Sequence, residues 1–524
     1  MKKSFILTGF FILIFFGCKK SDVAVTKPAV VAADLVIPAD SVKVNPYGYA
    51  PLSALVNFSS PVAGKTVIIV KGKNGPASDI EHVFNDEGLL HSVPVIGLYG
   101  NFANTVDIRL INNGGDTVAK TSINIQTAPL PANMPTSIVQ DVLPAGPVEK
   151  GIDLVSNFSA GTPLVYTPGS PQIPLMVDNF GDIRWLLDYT NSPDVNSLFY
   201  DCGIKRLRNG NFYFADFWRN NVYEVDMLGR IVNKWDFSTT GFVFHHEAIE
   251  KPDGNFLVTV TKKNSGTIED YVIEIDRQTH SIKTVWDLKE SMDQQRATLT
   301  DLFNYPDWMH TNSIIYDSTD NTIVVSGRSQ GVVKLTFDNK VKWIIAPHKG
   351  WGLNGRGEDL NQFLLTPLDA AGNKITDPEV LDGSTNHPDF EWCWYQHSVI
   401  TIPNGDYMLF DNGSVRNYDP AAPKYSRAVE YKIDPVNMTI QQKWQYGKER
   451  GLETYSYIVS SVQYLPNTNH VLFSPGFQVL NKNGQGGKVV EVDYATKQVV
   501  SQLSFSAANL WGFHRAIRMS AYPE

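Results

Sequence analysis

The sequence predicts an all-β protein: a six-bladed β-propeller preceded by a small N-terminal β-sandwich. Three observations predict it. A four-strand motif recurs from about residue 150 onward with a closing tryptophan at a period of about 50 residues. Short segments of alternating polarity, separated by Asn-Gly and Gly-Gly turns, occupy residues 41–127. The 39 glycines, 30 prolines and 11% aromatic residues favour short strands joined by turns over long helices.

Composition narrows the function classes. With 43% hydrophobic and 19% charged residues, the 524-residue chain can bury substantial cores. A net charge of -9 repels phosphate backbones, so nucleic acid is not an expected partner. Three cysteines far apart exclude a disulfide scaffold and a zinc ribbon.

The N-terminus reads as an export signal. Lys2 and Lys3 precede an apolar run from Phe5 to Phe16, too short to span a bilayer but suited to a signal peptide. The run ends in Phe15-Phe16-Gly17-Cys18, which resembles a lipobox with phenylalanine where leucine is usual. Residues 1–18 are therefore expected to be a lipoprotein leader, with Cys18 lipidated. The mature chain would be exported and lipid-anchored, in the periplasm or at the outer-membrane surface of a bacterium, touching membrane through that lipid only. Residues 19–40, rich in Ala, Val, Pro and Lys, read as a tether. Residues 128–149 are Pro-rich and read as a linker between the sandwich (41–127) and the propeller (150–524).

Within the propeller, Asn209-Gly210-Asn211-Phe212-Tyr213-Phe214, Tyr223-Glu224-Val225-Asp226 and Lys234-Trp235-Asp236 form one copy. Asp253-Gly254-Asn255-Phe256-Leu257-Val258, Ile273-Glu274-Ile275-Asp276 and Val285-Trp286-Asp287 form the next. Ala516-Ile517-Arg518-Met519 is expected to complete the first blade and close the ring. The repeated tryptophans read as packing between blades.

Aligning the copies exposes an equivalent position eight residues before the turn that precedes the second strand: Cys202, His246, His397 and Ser461. His310 fits if a longer turn is allowed, and His514 opens the final strand similarly. This position heads the innermost strand of each blade, at the mouth of the central channel. Strand direction brings the loop between second and third strands to the same mouth, which in the blade of His310 places Arg328 there. The longest insertions, about 288–309 and 344–396, reach that face with Trp308, Trp392, Trp394 and Tyr395. Glu247 reads as a structural partner facing away from the channel. His245 and Asn412 stay unassigned, and His280, His348, His387 and His470 read as surface or loop residues. Cys202 and Cys393 read as inert thiols.

Several imidazoles and an arginine admit two chemistries. One is a metal site, since histidine commonly binds zinc and copper; Arg328, and the lack of a carboxylate in the set, argue against it. The other is an anion site, in which Arg, His and Asn donate to a tetrahedral sulfuryl or phosphoryl group and one neutral imidazole attacks it. Arg328 would help keep that imidazole neutral.

The runs Phe244-His245-His246-Glu247, Asp307-Trp308-Met309-His310-Thr311-Asn312-Ser313, Ser326-Gly327-Arg328-Ser329-Gln330-Gly331 and Tyr395-Gln396-His397-Ser398 together resemble the bacterial arylsulfate sulfotransferases. The resemblance implies a six-bladed propeller that moves a sulfuryl group from an aryl sulfate donor to a phenol acceptor, with no cofactor and no metal. It implies His397 as nucleophile and His246, His310, Asn312 and Arg328 around the sulfuryl group; Trp308 and Tyr395, aromatic residues of the mouth, are expected beside the substrate. Cys393 lacks the nearby partner that forms a disulfide in enterobacterial relatives. Gly327 and Ser329 flank Arg328 where the family often reads Ser-Arg-His-Gln. A homodimer is compatible with the sequence. A non-catalytic propeller that binds glycans or sulfated ligands, and a histidine-metal lyase, are the alternatives.

Overall fold

The computed structural model describes residues 31–131, 134–135, 137–144, 146–160, 173–195, 204–216, 220–297, 306–507 and 510–523. The leader with Cys18, most of the tether and Cys202 lie outside them.

The N-terminal domain is organised by one 18-residue strand, Ser53–Val70. Its first half pairs antiparallel with Val42–Val44 and Gly88–Ile96, and its second half with Ile80–Val83 and Ala103–Ile111. One strand thus belongs to both walls, and the sheet curls into a sandwich. Alternation supplies the core: Val106, Ile108 and Leu110 are buried, while Thr105, Asp107 and Arg109 remain partly exposed. The stretch read as tether contributes Ala33–Asp34, which pairs parallel with Thr117–Gln126.

Six sheets follow, arranged as propeller blades. Both ends of the domain build blade 1, in which Leu510–Met519 lies innermost, followed by Ile152–Ala160, Leu175–Val177 and Ile183–Leu186. The innermost strands of blades 2 to 6 are Lys205–Arg206, Phe242–Glu250, Thr311–Asp317, His397–Thr401 and Ser461–Leu465. Two blades gain an outer strand. Thr366–Leu368, from the long insertion, pairs parallel with Thr439–Tyr446 of blade 5. Ser137–Val142, within the stretch read as a linker, pairs with Val499–Ala507 of blade 6. Proline is tolerated beside such an edge strand, which is why a Pro-rich stretch can still hold one.

Four of the recurring tryptophans each fasten one blade to the next. The indole N–H of Trp185 donates to Met227 O (2.8 Å), Trp235 to Arg277 O (3.1 Å), Trp286 to Thr336 O (2.9 Å) and Trp444 to Tyr494 O (2.7 Å). A large apolar ring fills the gap between sheets while its only donor satisfies a turn carbonyl.

Ring closure is electrostatic as well as β-paired. Arg518, on the C-terminal strand, donates to both oxygens of Asp153 (2.6 and 3.1 Å), to Glu491 of blade 6 (3.0 Å) and to Glu149 O (2.7 Å). All four residues are buried. His470 joins this cluster, with Nδ1 2.8 Å from Glu491, and so is a core residue rather than the surface residue expected. A histidine that satisfies a buried carboxylate leaves no periodic trace in sequence. The sandwich is docked by Arg184 of blade 1, which donates to Gly97 O (2.8 Å) and Ser78 O (2.9 Å). No helix among the described residues is long and apolar enough to cross a membrane.

Removing one partner of a buried, multiply bonded ion cluster strands the remaining charges. Arg518→Met should therefore lower unfolding free energy by about 3–5 kcal/mol, read as a reduced urea midpoint.

Candidate active site

Four histidines at the heads of innermost strands meet over the axis. The His246 and His310 ring centroids are 4.6 Å apart, and His514 lies 6.2 Å from His246 and 6.4 Å from His397. The ring of blades thus gathers His246, His310, His397 and His514 from four sheets. Each sits where the pairing of its innermost strand slips, between Phe244 and Ala248, at Thr311, after His397, and between Phe513 and Arg515. A bulge there breaks the side-chain alternation and re-aims the side chain. His246 and His310 adopt positive φ (45° and 55°), a backbone cost that the surrounding structure imposes. Glu247 keeps the structural role expected of it, pairing with Lys205 and with Arg515 (2.7 Å). Strand alternation is not the reason, because the bulge spans it.

His397 is oriented by Asn412. Its Nδ1 is 2.7 Å from Asn412 Oδ1 and 3.1 Å from Tyr395 O. Asn412 Nδ2 donates to Ser456 O (2.7 Å) and Val459 O (3.1 Å), so its amide cannot flip and Oδ1 must accept. The His397 proton therefore resides on Nδ1, and Nε2 keeps its lone pair. Burial, then the Arg328 guanidinium, lower the His397 pKa to about 3, against the hydrogen bond that His397 donates to Asn412. At neutral pH this ring is uncharged.

His310 has the opposite character. Its Nδ1 meets Glu269 Oε2 at 2.7 Å and Asp307 Oδ2 at 2.6 Å. Burial and Arg328 push its pKa down, but these two carboxylates outweigh them and the net shift is upward. Glu269 is held near 2 in spite of burial, by the charge and hydrogen bond of His310. His246 is lowered well below the ordinary imidazole value by burial and by His310, and His245 is lowered by burial.

His514 adds a donor. Its Nδ1 is 3.3 Å from Arg515 Nε, which can only donate, so Nδ1 accepts. Burial and Arg515 lower its pKa strongly, and the neutral ring must then carry its proton on Nε2, a buried atom with no hydrogen-bond partner among the described residues.

The arginine loop is stitched to the strand head that carries His397. Arg328 N donates to His310 O (3.0 Å), and Gln396 Nε2 donates to Gly327 O (3.0 Å) and Ser326 Oγ (3.1 Å). A Cβ at Gly327 would lie 2.4 Å from Met309 Cε, so a larger residue there would have to displace the Met309 side chain. Arg328 lies 3.7 Å from Asp307 and 5.7 Å from the Tyr395 ring, which sets Tyr395 at the site. Asn312 donates to Gln396 O (2.8 Å), bracing the residue before His397.

Two expectations need correction. Trp308 is not open to the mouth: its indole is packed in the apolar core between blades 3 and 4, and its N–H donates to Asp270 (2.8 Å). Trp392 and Trp394 are likewise core residues. An apolar ring in a long insertion is drawn under the loop that carries it. The histidine set also does include carboxylates. Glu269, Asp307 and His310 form one group that could ligate a cation, and His245, His246 and Glu269 another. What opposes a cation is Arg328, whose guanidinium already faces Asp307. Cys393 is buried, and burial raises its pKa, as suits an inert thiol.

Glu269, Asn412 and His514 were within reach of sequence reasoning. Glu269 and Asn412 lie in the loops between second and third strands of blades 3 and 5, the position that singled out Arg328 in blade 4. His514 heads an innermost strand.

A profile of the arylsulfotransferase (ASST) family matches residues 145–514, and one of the arylsulfotransferase immunoglobulin-like domain matches residues 41–128. The chain belongs to the arylsulfotransferase family. It is 33% identical to the arylsulfate sulfotransferase AssT of Escherichia coli O6:H1 (strain CFT073), over 90% of each chain. It is 31% identical to the AssT of Lelliottia amnigena, over 88% of this chain and 89% of that one.

The opposed states of His310 and Glu269 make a direct prediction. Glu269→Gln removes a counter-charge, so the His310 pKa should fall toward or below the ordinary 6.5, seen in an imidazole NMR titration.

Proposed function

We propose that this arylsulfotransferase-family protein moves a sulfuryl group from a phenolic sulfate ester to a phenol in two steps through His397. The observation that carries the reading is the neutral His397, with Nδ1–H committed to Asn412 and the Nε2 lone pair available, among cationic and N–H donors. Family membership supports the reaction class.

In the first step the Nε2 lone pair forms an N–S bond as the bond between sulfur and the aryl oxygen breaks. The bonding electrons leave on the phenolate oxygen, which takes a proton from His310. Arg328, His246 and the Nε2–H of His514 donate to the sulfuryl oxygens, whose charge is largest in the transition state. In the second step an acceptor phenol returns a proton to His310, its oxygen takes the sulfuryl group, and His397 is regenerated. His310 fits the shuttle better than His246, because its carboxylate partners hold a proton that His246 lacks. Asn312 acts by positioning Gln396. The reading extends to export and anchoring through Cys18, which would hold the propeller at a membrane surface.

His397→Ala should abolish transfer between an aryl sulfate and a phenol, by about 10³-fold or more, with little change in stability. His310→Asn should lose about 10²–10⁴-fold, and most for donors with poorly acidic phenols. Retained transfer by His397→Ala would sink the proposal. Inhibition by a chelator would favour a metal-dependent reaction at Glu269, Asp307 and His310 instead.

The pH profile follows from the two shifts. His397 is active when neutral, so activity is lost only as pH falls toward about 3. His310 is active when protonated, so activity declines as pH rises through a value above 6.5. The kcat/KM profile for the donor should therefore lack an acid limb near 6.5 and show an alkaline one.

A further inference from the structure

Three blades meet at one buried carboxylate beside the histidines. Glu247 stands in the innermost strand of blade 3, Lys205 in that of blade 2 and Arg515 in that of blade 1. Glu247 Oε1 pairs with Lys205 Nζ, and Oε2 accepts from Arg515 Nη2 at 2.7 Å. The Glu247 and Arg515 side chains are 4% and 9% exposed, so water screens this pair little. The bulge that re-aims His246 also holds the carboxylate in place. Glu247 N donates to Thr259 Oγ1 (3.0 Å), which in turn donates to His245 O (2.5 Å).

Arg515 carries the constraint to His514. A guanidinium is planar and rigid, so fixing Nη2 on Glu247 also fixes the direction of Nε–H. That N–H meets His514 Nδ1 at 3.3 Å. Nδ1 must accept, which confines the proton of the neutral ring to Nε2, an atom with no hydrogen-bond partner among the described residues. The His514 ring centroid lies 6.4 Å from that of His397 and 6.2 Å from that of His246. The gap to His397 has room for one tetrahedral group and a hydrogen bond of about 2.8–3.0 Å. Without the carboxylate, Arg515 would lose this counter-charge, its Nε–H could turn away, and Nδ1 could take the proton.

We propose that Glu247 is a positioning residue for sulfuryl transfer: through Arg515 it keeps the proton of His514 on Nε2, where it donates to a sulfuryl oxygen. The inference rests on the sulfuryl-transfer reading above. It gives Glu247 a part in the reaction beyond bracing three strands, exerted through Arg515 and His514 rather than on the substrate.

The test uses the full-length protein, one nitrophenyl sulfate donor and one phenol acceptor. His514→Leu removes the donor and should lower kcat by about 10²-fold. Glu247→Gln should lower kcat by about 10-fold with KM for the donor little changed, because the lost contact is strongest in the transition state. In a His514→Leu background the same Glu247→Gln change should cost less than about 2-fold. A carboxylate that only braced the strands would cost as much with His514 as without it. Equal losses in the two backgrounds would therefore overturn the proposal, as would wild-type kcat in Glu247→Gln. If Glu247→Gln does not fold, Arg515→Lys replaces it in the same cycle. That variant keeps a cation against Glu247 but lacks Nε–H, so it should show the same loss and the same dependence on His514; losses independent of His514 would reject the chain.

The ring nitrogens of His514 give a second readout, by NMR of protein carrying isotope-labelled histidine, with the signals assigned by their disappearance in His514→Leu. The wild type should hold the proton on Nε2, and Glu247→Gln should show a population with the proton on Nδ1. Identical nitrogen spectra would overturn the positioning role. This measurement stands even if the wild type transfers no sulfuryl group, in which case the transfer reading fails on its own.

Discussion

The C-terminal strand Leu510–Met519 pairs with Ile152–Ala160, and Arg518 ties that pair to Asp153 and to Glu491 of the preceding blade. Everything chemical in the molecule depends on this closure. An open array of the same sheets would bury the same tryptophans, yet its innermost strands would not point at one another. Only a closed ring forces strands distant in sequence to share an axis. It also carries His514 into the set, since that residue lies four positions before Arg518.

Closure has an electrostatic consequence. Imidazoles crowded in a buried space would repel if all were protonated, so the cluster divides its labour. Two carboxylates, Glu269 and Asp307, raise the pKa of His310, while burial and neighbouring cations or rings lower those of His246, His397 and His514. A pair of groups driven apart in this way, one a base without its proton and one an acid that holds it, is what a two-step group transfer requires. Asn412 completes the arrangement by deciding which nitrogen of His397 is open.

Much of this was legible in the sequence because a propeller repeats itself. The tryptophan period exposed the blades, and the alignment of copies exposed His246, His310 and His397 as equivalent. Strand direction then found Arg328. The reading faltered where structure stops being periodic. The bulges at the strand heads have no sequence period, so alternation could not explain where Glu247 points. Trp308 sits in an insertion, which points to the mouth, although its ring is packed beneath that insertion. Glu269 and Asp307 carry no such mark, because a carboxylate in a loop looks like a solvated charge until its partner histidine is known. Ser137–Val142 was hidden for a related reason, since proline marks a boundary to the eye even where the next strand has an edge to join.

The account stands on His397 Nε2 as the atom that carries the group between donor and acceptor. Mixing the protein with an aryl sulfate in the absence of acceptor, quenching rapidly into alkali and sequencing the peptides by mass spectrometry tests this directly. The account predicts a stoichiometric burst of phenol and a sulfuryl group on the peptide of His397. Phenol release without labelled protein, or a label on a tyrosine or another histidine, would contradict it.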